Sequence, residues 1–138
     1  MNAISLEQRG VTIDAGATRA RTIGYWVTTG MVVFCMTGGI FEMLSLKMTT
    51  EGIMRLGYPS YIIPALGLGK VLAILAILWP GLPRLKEWAY AGIVFNMLGA
   101  FVSHVAVKDP AWSKVVTLAI AGITLASWAL RPRSRKLG

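Results

Sequence analysis

One cysteine and one histidine are all that the 138 residues contain. Cys35 alone can form neither an intrachain disulfide nor a C-x-x-C pair, which excludes thiol–disulfide catalysis within one chain. It reads as a small apolar residue on a helix. A lone histidine with one carboxylate near it does not make a zinc or di-iron set, so no metal site is expected. Haem would need His104 with a second axial ligand, such as Met97, turned towards it, and is disfavoured. Acidic residues are also scarce, six against fourteen Lys and Arg, for a net charge of +8. That charge could suggest nucleic acid, but no basic stripe interleaves with exposed aromatics, so no nucleic-acid partner is expected. No glycine-rich loop follows a strand, which excludes the usual nucleotide cradle.

What remains is oil. Hydrophobic residues make up 55% and charged ones only 14% of the chain, with a mean hydropathy of +0.61. Four runs, approximately 23–46, 61–79, 88–107 and 112–130, reach the roughly 20 apolar residues that cross a hydrocarbon core. In lipid each must be a helix, because backbone groups find partners only within the segment. The expected fold is therefore all-α, a polytopic bundle of four transmembrane helices. Pro80 and Pro83 are read as ending the second helix, and Asp109-Pro110 as the turn between the third and fourth. Residues 1–22 form a polar, mobile leader; the first apolar run starts too late and is too long for a signal peptide. Residues 23–132 are the membrane domain and 133–138 a basic tail.

The basic residues orient the bundle. Nine lie in the leader (Arg9, Arg19, Arg21), the middle loop (Arg84, Lys86) and the tail (Arg131, Arg133, Arg135, Lys136), against four in the other two loops (Lys47, Arg55, Lys108, Lys114). The positive-inside rule then places both termini in the cytoplasm. Tyr25, Trp26, Trp79, Trp88 and Trp128 fall at the inner interface, and Tyr58, Tyr61 and Trp112 at the outer one. Small residues such as Gly39, Gly67, Gly69, Gly92 and Gly99 recur where helices can approach closely. The segment from Lys47 to Ser60 reads as a short amphipathic piece on the outer surface.

Against this background the polar residues inside the spans stand out, since an ionisable group in a membrane helix is a functional-site hypothesis by default. A rise of about 1.5 Å per residue puts Glu42 about 6 Å, His104 about 5 Å and Lys70 about 13 Å below the outer surface, with Asn96 near the midplane. Lys70 lies too deep for its stem, reaching about 6 Å, to find water. It must be paired, neutral or beside a hydrated cavity, and Glu42 is the partner within reach. Asn96 and Ser103, seven residues apart, share a face of the third helix, with His104 on its flank. The expectation is a narrow cavity lined by Asn96, Ser103 and His104 and closed by a Glu42–Lys70 ion pair, with His104 able to exchange a proton with Glu42. Glu42, Lys70 and His104 are the candidate catalytic residues; Asn96, Ser103, Tyr58 and Tyr61 are the candidate ligand-binding ones. Each also has a plain structural reading, as a helix-locking pair or an interhelical hydrogen bonder.

The stretches Gly38-Gly39-Ile40-Phe41-Glu42, Leu56-Gly57-Tyr58-Pro59, Gly67-Leu68-Gly69-Lys70, Pro80 through Gly92 and Ser103-His104 resemble the signature of DoxX-like small membrane proteins. The resemblance covers about Tyr25 to Pro132. It implies a four-helix, multi-pass protein of the bacterial inner membrane. The family takes its name from a subunit associated with thiosulfate:quinone oxidoreductase, and related proteins have been linked to membrane redox complexes.

Three functions stay open. The preferred one is a protein that holds a quinone or similar lipophilic molecule for a membrane redox system, with His104 and Lys70 bonding its oxygens and Glu42 relaying protons. The next is an assembly subunit for another membrane protein. The last is a cofactor-independent isomerase or lyase using Glu42 and His104 as acid and base. A homodimer is plausible, since short helices bury little.

Overall fold

A computed structural model describes residues 3–136, and every regular element among them is helical. Six α-helices, α1 (Ala3–Met36), α2 (Gly38–Met43), α3 (Lys47–Arg55), α4 (Ile63–Leu78), α5 (Pro83–Ala106) and α6 (Ala111–Leu130), follow one another in the chain, with short 3-10 turns at Ser60–Ile62 and Arg133–Arg135. Four segments are long and apolar enough to cross a membrane: Ala15–Met43, Ser60–Leu78, Pro83–Ala106 and Ala111–Leu130. Four crossings return the chain to the side it started from, so both termini lie at one end and α3 at the other. Arg21, donating a hydrogen bond to the Ala129 carbonyl at 3.0 Å, ties the two terminal segments together.

The first span is α1 and α2 with a break at Thr37, whose hydroxyl donates to the Phe34 carbonyl at 2.6 Å and competes with the regular ladder. Below the break α1 packs on α6; above it α2 packs on α4; α4 then meets α5, and α5 meets α6, closing a ring. The polar leader is helical from Ala3 onward and runs into the first span without a joint. Ser45 and Gly57, both with positive φ, reverse the chain on either side of α3, which lies at the surface with no buried residue. The core is a plug of Val32, Met36, Ala76, Ile77, Ala89, Tyr90, Ile93, Met97 and Ala121. Burying these side chains gains little against lipid tails, which are just as apolar, so close packing and interhelical hydrogen bonds must hold the ring. Phe34, Phe95, Trp88 and Trp112 instead turn outward, each more than two-thirds exposed.

Three sequence expectations are corrected. Pro83 does not end the second helix but opens the third, at a first-turn position where its missing N–H costs nothing. The third helix therefore starts five residues before Trp88, and Lys86 is not in a loop. Tyr25 is fully buried rather than at the lipid interface. The first span ends at Met43, not Leu46.

Candidate functional site

The site begins with two glycines. A Cβ on Gly67 would sit 2.4 Å from the Gly39 carbonyl oxygen and 2.3 Å from the Met43 amide nitrogen, and one on Gly39 would sit 2.5 Å from the Lys70 Cβ. Only hydrogen fits at either position, so α2 and α4 cross backbone against backbone. That crossing sets Glu42, three residues beyond Gly39, against Lys70, three beyond Gly67. Lys70 Nζ donates to Glu42 Oε1, and both side chains are largely buried. The expected ion pair forms, and it forms because neither helix carries a side chain between the two. Glu42 Oε2 is buried with no hydrogen-bond partner.

Beside the pair, between α4 and α5, lies a groove of about 330 Å³. Lys70, midway along the α4 wall, and Asn96 are its polar residues; Gly69, Ala73, Gly92 and Trp88 are among the small and aromatic residues of its wall, which also includes Met36 of α1. On α4 the lining runs from Ala65 to Ala76, about 16 Å along the helix axis. Several wall residues, including Leu72, Leu85 and Trp88, are also exposed on the outside of the bundle, so the groove opens sideways towards lipid.

The remaining predicted residues lie elsewhere. His104 Nδ1 is 2.7 Å from Asp109 Oδ2, and Arg55 donates to Asp109 Oδ1 at 2.7 Å. His104 thus turns to a carboxylate at the α3 end of the bundle rather than to Glu42. With Nδ1 tied to Asp109, its Nε2 is the nitrogen left to act. The His104 hydrogen bond, followed by the nearby Arg55 charge, holds the Asp109 carboxyl below its ordinary pKa against the opposing effect of burial. Ser103 bonds Tyr58 at 2.9 Å and its own Gly99 carbonyl at 2.9 Å. Neither Ser103, His104 nor Tyr58 lines the groove. Tyr61 is 80% exposed and does not line the groove. The single cavity expected from the sequence is therefore two places: a lipid-open groove with Lys70 and Asn96, and a hydrogen-bonded knot of Arg55, Tyr58, Ser103, His104 and Asp109 that pins the α3 segment to α5.

Sequence reasoning also missed a polar cluster at the termini end. Lys86 is 1% exposed; its ammonium donates to the Ala76 carbonyl at 2.8 Å and to the Trp79 carbonyl. Arg135 donates to the Ile77 carbonyl at 3.2 Å. Two cations thus cap the last turn of α4, whose carbonyls have no intrahelical partners. Glu87 accepts hydrogen bonds from Arg131 and, at 2.6 Å, from Trp128 Nε1. Further in, Thr29, Ser127 and Tyr90 form a hydroxyl chain with links of 2.8 and 2.9 Å. The signal for Lys86 was Pro83 at a helix start, which puts Lys86 one turn inside α5. Asp109 was read only as half of an Asp-Pro turn.

Four apolar spans around a buried ion pair define a small integral membrane protein. The family model described as the DoxX-like family matches residues 26–128, and the chain belongs to that family. No curated protein matches the chain, and no solved structure does. Among the described residues no three His, Cys, Asp or Glu side chains cluster where they could hold a metal ion.

Proposed function

We propose that the protein binds a quinone, or a similar lipophilic molecule with carbonyl oxygens, in the groove between α4 and α5. The observation that carries this reading is a cavity of about 330 Å³ with an apolar wall, open towards lipid, in which Lys70 and Asn96 are the two polar residues. Ligand pockets commonly have this composition and fall in this size range. An ammonium has three donors; one of Lys70's goes to Glu42, leaving two for a ligand oxygen. Glu42 neutralises the ammonium and fixes its direction, so the donors are aimed before a ligand arrives. Asn96 can supply an amide N–H from the facing helix. A tail then lies between Gly69 and Gly92 and leaves past Trp88.

The redox setting is what the family resemblance implies, with a separate membrane protein delivering or removing the electrons. The basic end, with Arg21, Arg84, Lys86, Arg131 and Arg135, faces the cytoplasm in this reading, as the positive-inside rule requires, and the membrane is the inner membrane of a bacterium. Residues 133–138 are its cytoplasmic tail and 1–22 its leader. Organic extraction of the purified protein, with ultraviolet absorption and mass spectrometry of the extract, tests the assignment. A quinone recovered near one per chain from the native protein and lost from Asn96→Leu is the expected result. An extract that contains bulk lipid alone in both would overturn it.

A further inference from the structure

Counting from Arg19 onward, eight basic side chains lie at the termini end of the bundle against one carboxylate, Glu87. At the α3 end, Lys47 pairs with Glu51 and Arg55 with Asp109, which leaves Lys108 and Lys114 without a carboxylate among the described residues. The excess charge of the chain is thus gathered at one end. Membrane insertion accounts for its being on one side; it does not account for what balances it once the bundle has folded.

The structure divides the eight cations into two sets. Four are engaged by the protein: Arg21 by the Ala129 carbonyl, Lys86 and Arg135 by carbonyls at the end of α4, and Arg131 by Glu87. Arg135 also lies 4.9 Å from the Trp26 ring centroid, so the Arg133–Arg135 turn is strapped from α6 across to α4 and α1. Carbonyls hold these side chains in place without cancelling their charge, and Lys86 is repelled by both Arg131 and Arg135. The other four, Arg19, Arg84, Arg133 and Lys136, have no side-chain hydrogen bond or ion pair. Three of them gather around the start of α5. Arg84 stands one turn before Glu87, Lys136 lies close enough to act on the Glu87 charge, and Arg133 projects from the strapped turn. Arg84 and Arg133 are exposed and Lys136 is half-buried.

Trp26, Trp79 and Trp128 are exposed at this same end, and such rings sit at the level of lipid headgroups. The free cations therefore meet the membrane where its phosphates are. A cluster of basic residues next to a membrane helix attracts anionic lipid, whereas a zwitterionic headgroup brings an ammonium of its own. We infer that Arg84, Arg133 and Lys136 form a docking surface for anionic phospholipid headgroups, whose charge offsets the repulsion within the strapped cluster and so stabilises the fold.

Nanodiscs of equal parts phosphatidylglycerol and phosphatidylcholine, isotopically labelled to differ in mass and released for native mass spectrometry, test this. The native protein should retain phosphatidylglycerol more than about tenfold over phosphatidylcholine in low salt, since each cation near a membrane surface is worth about fivefold. Added salt should reduce the ratio. The native protein should also melt at a higher temperature in these discs than in pure phosphatidylcholine, because a lipid bound by the folded state stabilises it. Arg84→Gln, Arg133→Gln and Lys136→Gln combined should bring the two lipids near parity and remove the rise in melting temperature. Arg84→Lys, Arg133→Lys and Lys136→Arg combined should keep both effects, because charge is what is recognised. Lys108→Gln with Lys114→Gln, at the α3 end, should keep them too. Equal retention of both lipids by the native protein, a melting temperature indifferent to phosphatidylglycerol, or a preference that survives the triple Gln variant would overturn the inference. So would a preference lost equally in the Lys108 and Lys114 variant, which would make net charge and not this surface its cause.

Discussion

The two ends of the bundle bury charge in different ways. At the termini end, Lys86 and Arg135 spend their donors on the carbonyls that α4 leaves open, and Glu87 takes up Arg131. Their task is to finish helices. In the other half, Lys70 meets only a carboxylate, and that carboxylate keeps one oxygen without a partner beside a groove. Desolvating such a pair costs about as much as its attraction returns, so stability alone is a weak reason for it. A cation engaged by backbone is structural; a cation engaged by one side chain, with donors left over and space in front of it, is available to a ligand.

Substitutions should separate the halves, and the largest effect is expected at the structural one. Lys86→Met takes the ammonium from the buried Ala76 carbonyl and the part-buried Trp79 carbonyl and should cost about 2–4 kcal/mol, read as earlier loss of helicity in a denaturant titration, with ligand content per folded molecule unchanged. Gly67→Ala forces apart a backbone crossing that has no room for a methyl group. It should cost about 1–3 kcal/mol and, unlike Lys86→Met, remove bound quinone as well. Glu42→Gln alone leaves Lys70 without its counter-charge and should destabilise by about 3 kcal/mol. Adding Lys70→Met to it should recover most of that loss while leaving the groove unable to hold its ligand, a divergence between stability and binding that a purely structural pair would not show.

Acid gives a smaller effect at the α3 end. Asp109 has a lowered pKa in the folded protein because His104 and Arg55 bond its carboxylate. Its contribution is therefore fully present above the ordinary aspartate value of about 3.9 and lost as pH falls through the lower folded value. Acid unfolding followed by circular dichroism should lose one proton-linked step in Asp109→Asn. Tyr61→Ala, on the lipid-exposed surface, should change stability by less than about 0.5 kcal/mol and leave quinone content unchanged.

The sequence makes some of this legible and hides the rest for physical reasons. Runs of about 20 apolar residues can only be helices in lipid, so the four spans follow from composition. Lys70 and Glu42 follow too, because depth along a helix is arithmetic and neither can reach water. Direction around the helix axis is less accessible: equal depth suggests His104 beside Glu42, whereas its bond goes to Asp109 five residues on. Asp109 lies outside every span and so attracted no argument from lipid. Hydropathy alone starts the third helix at Trp88 and leaves Lys86 in a loop, whereas Pro83 opens it in the structure. Those two errors share a cause, which is that helix ends, unlike helix middles, are set by caps rather than by hydropathy.

Fluorescence of Trp88 tests the central claim most directly, since that ring forms part of the α4–α5 groove. A short-tailed benzoquinone titrated into the detergent-solubilised protein should quench it saturably, with the saturable component absent from Trp88→Phe and its midpoint raised about tenfold in Lys70→Met, the loss of one charge-assisted hydrogen bond. Quenching that rises linearly without a plateau, to the same extent in Lys70→Met as in the native chain, would contradict the account.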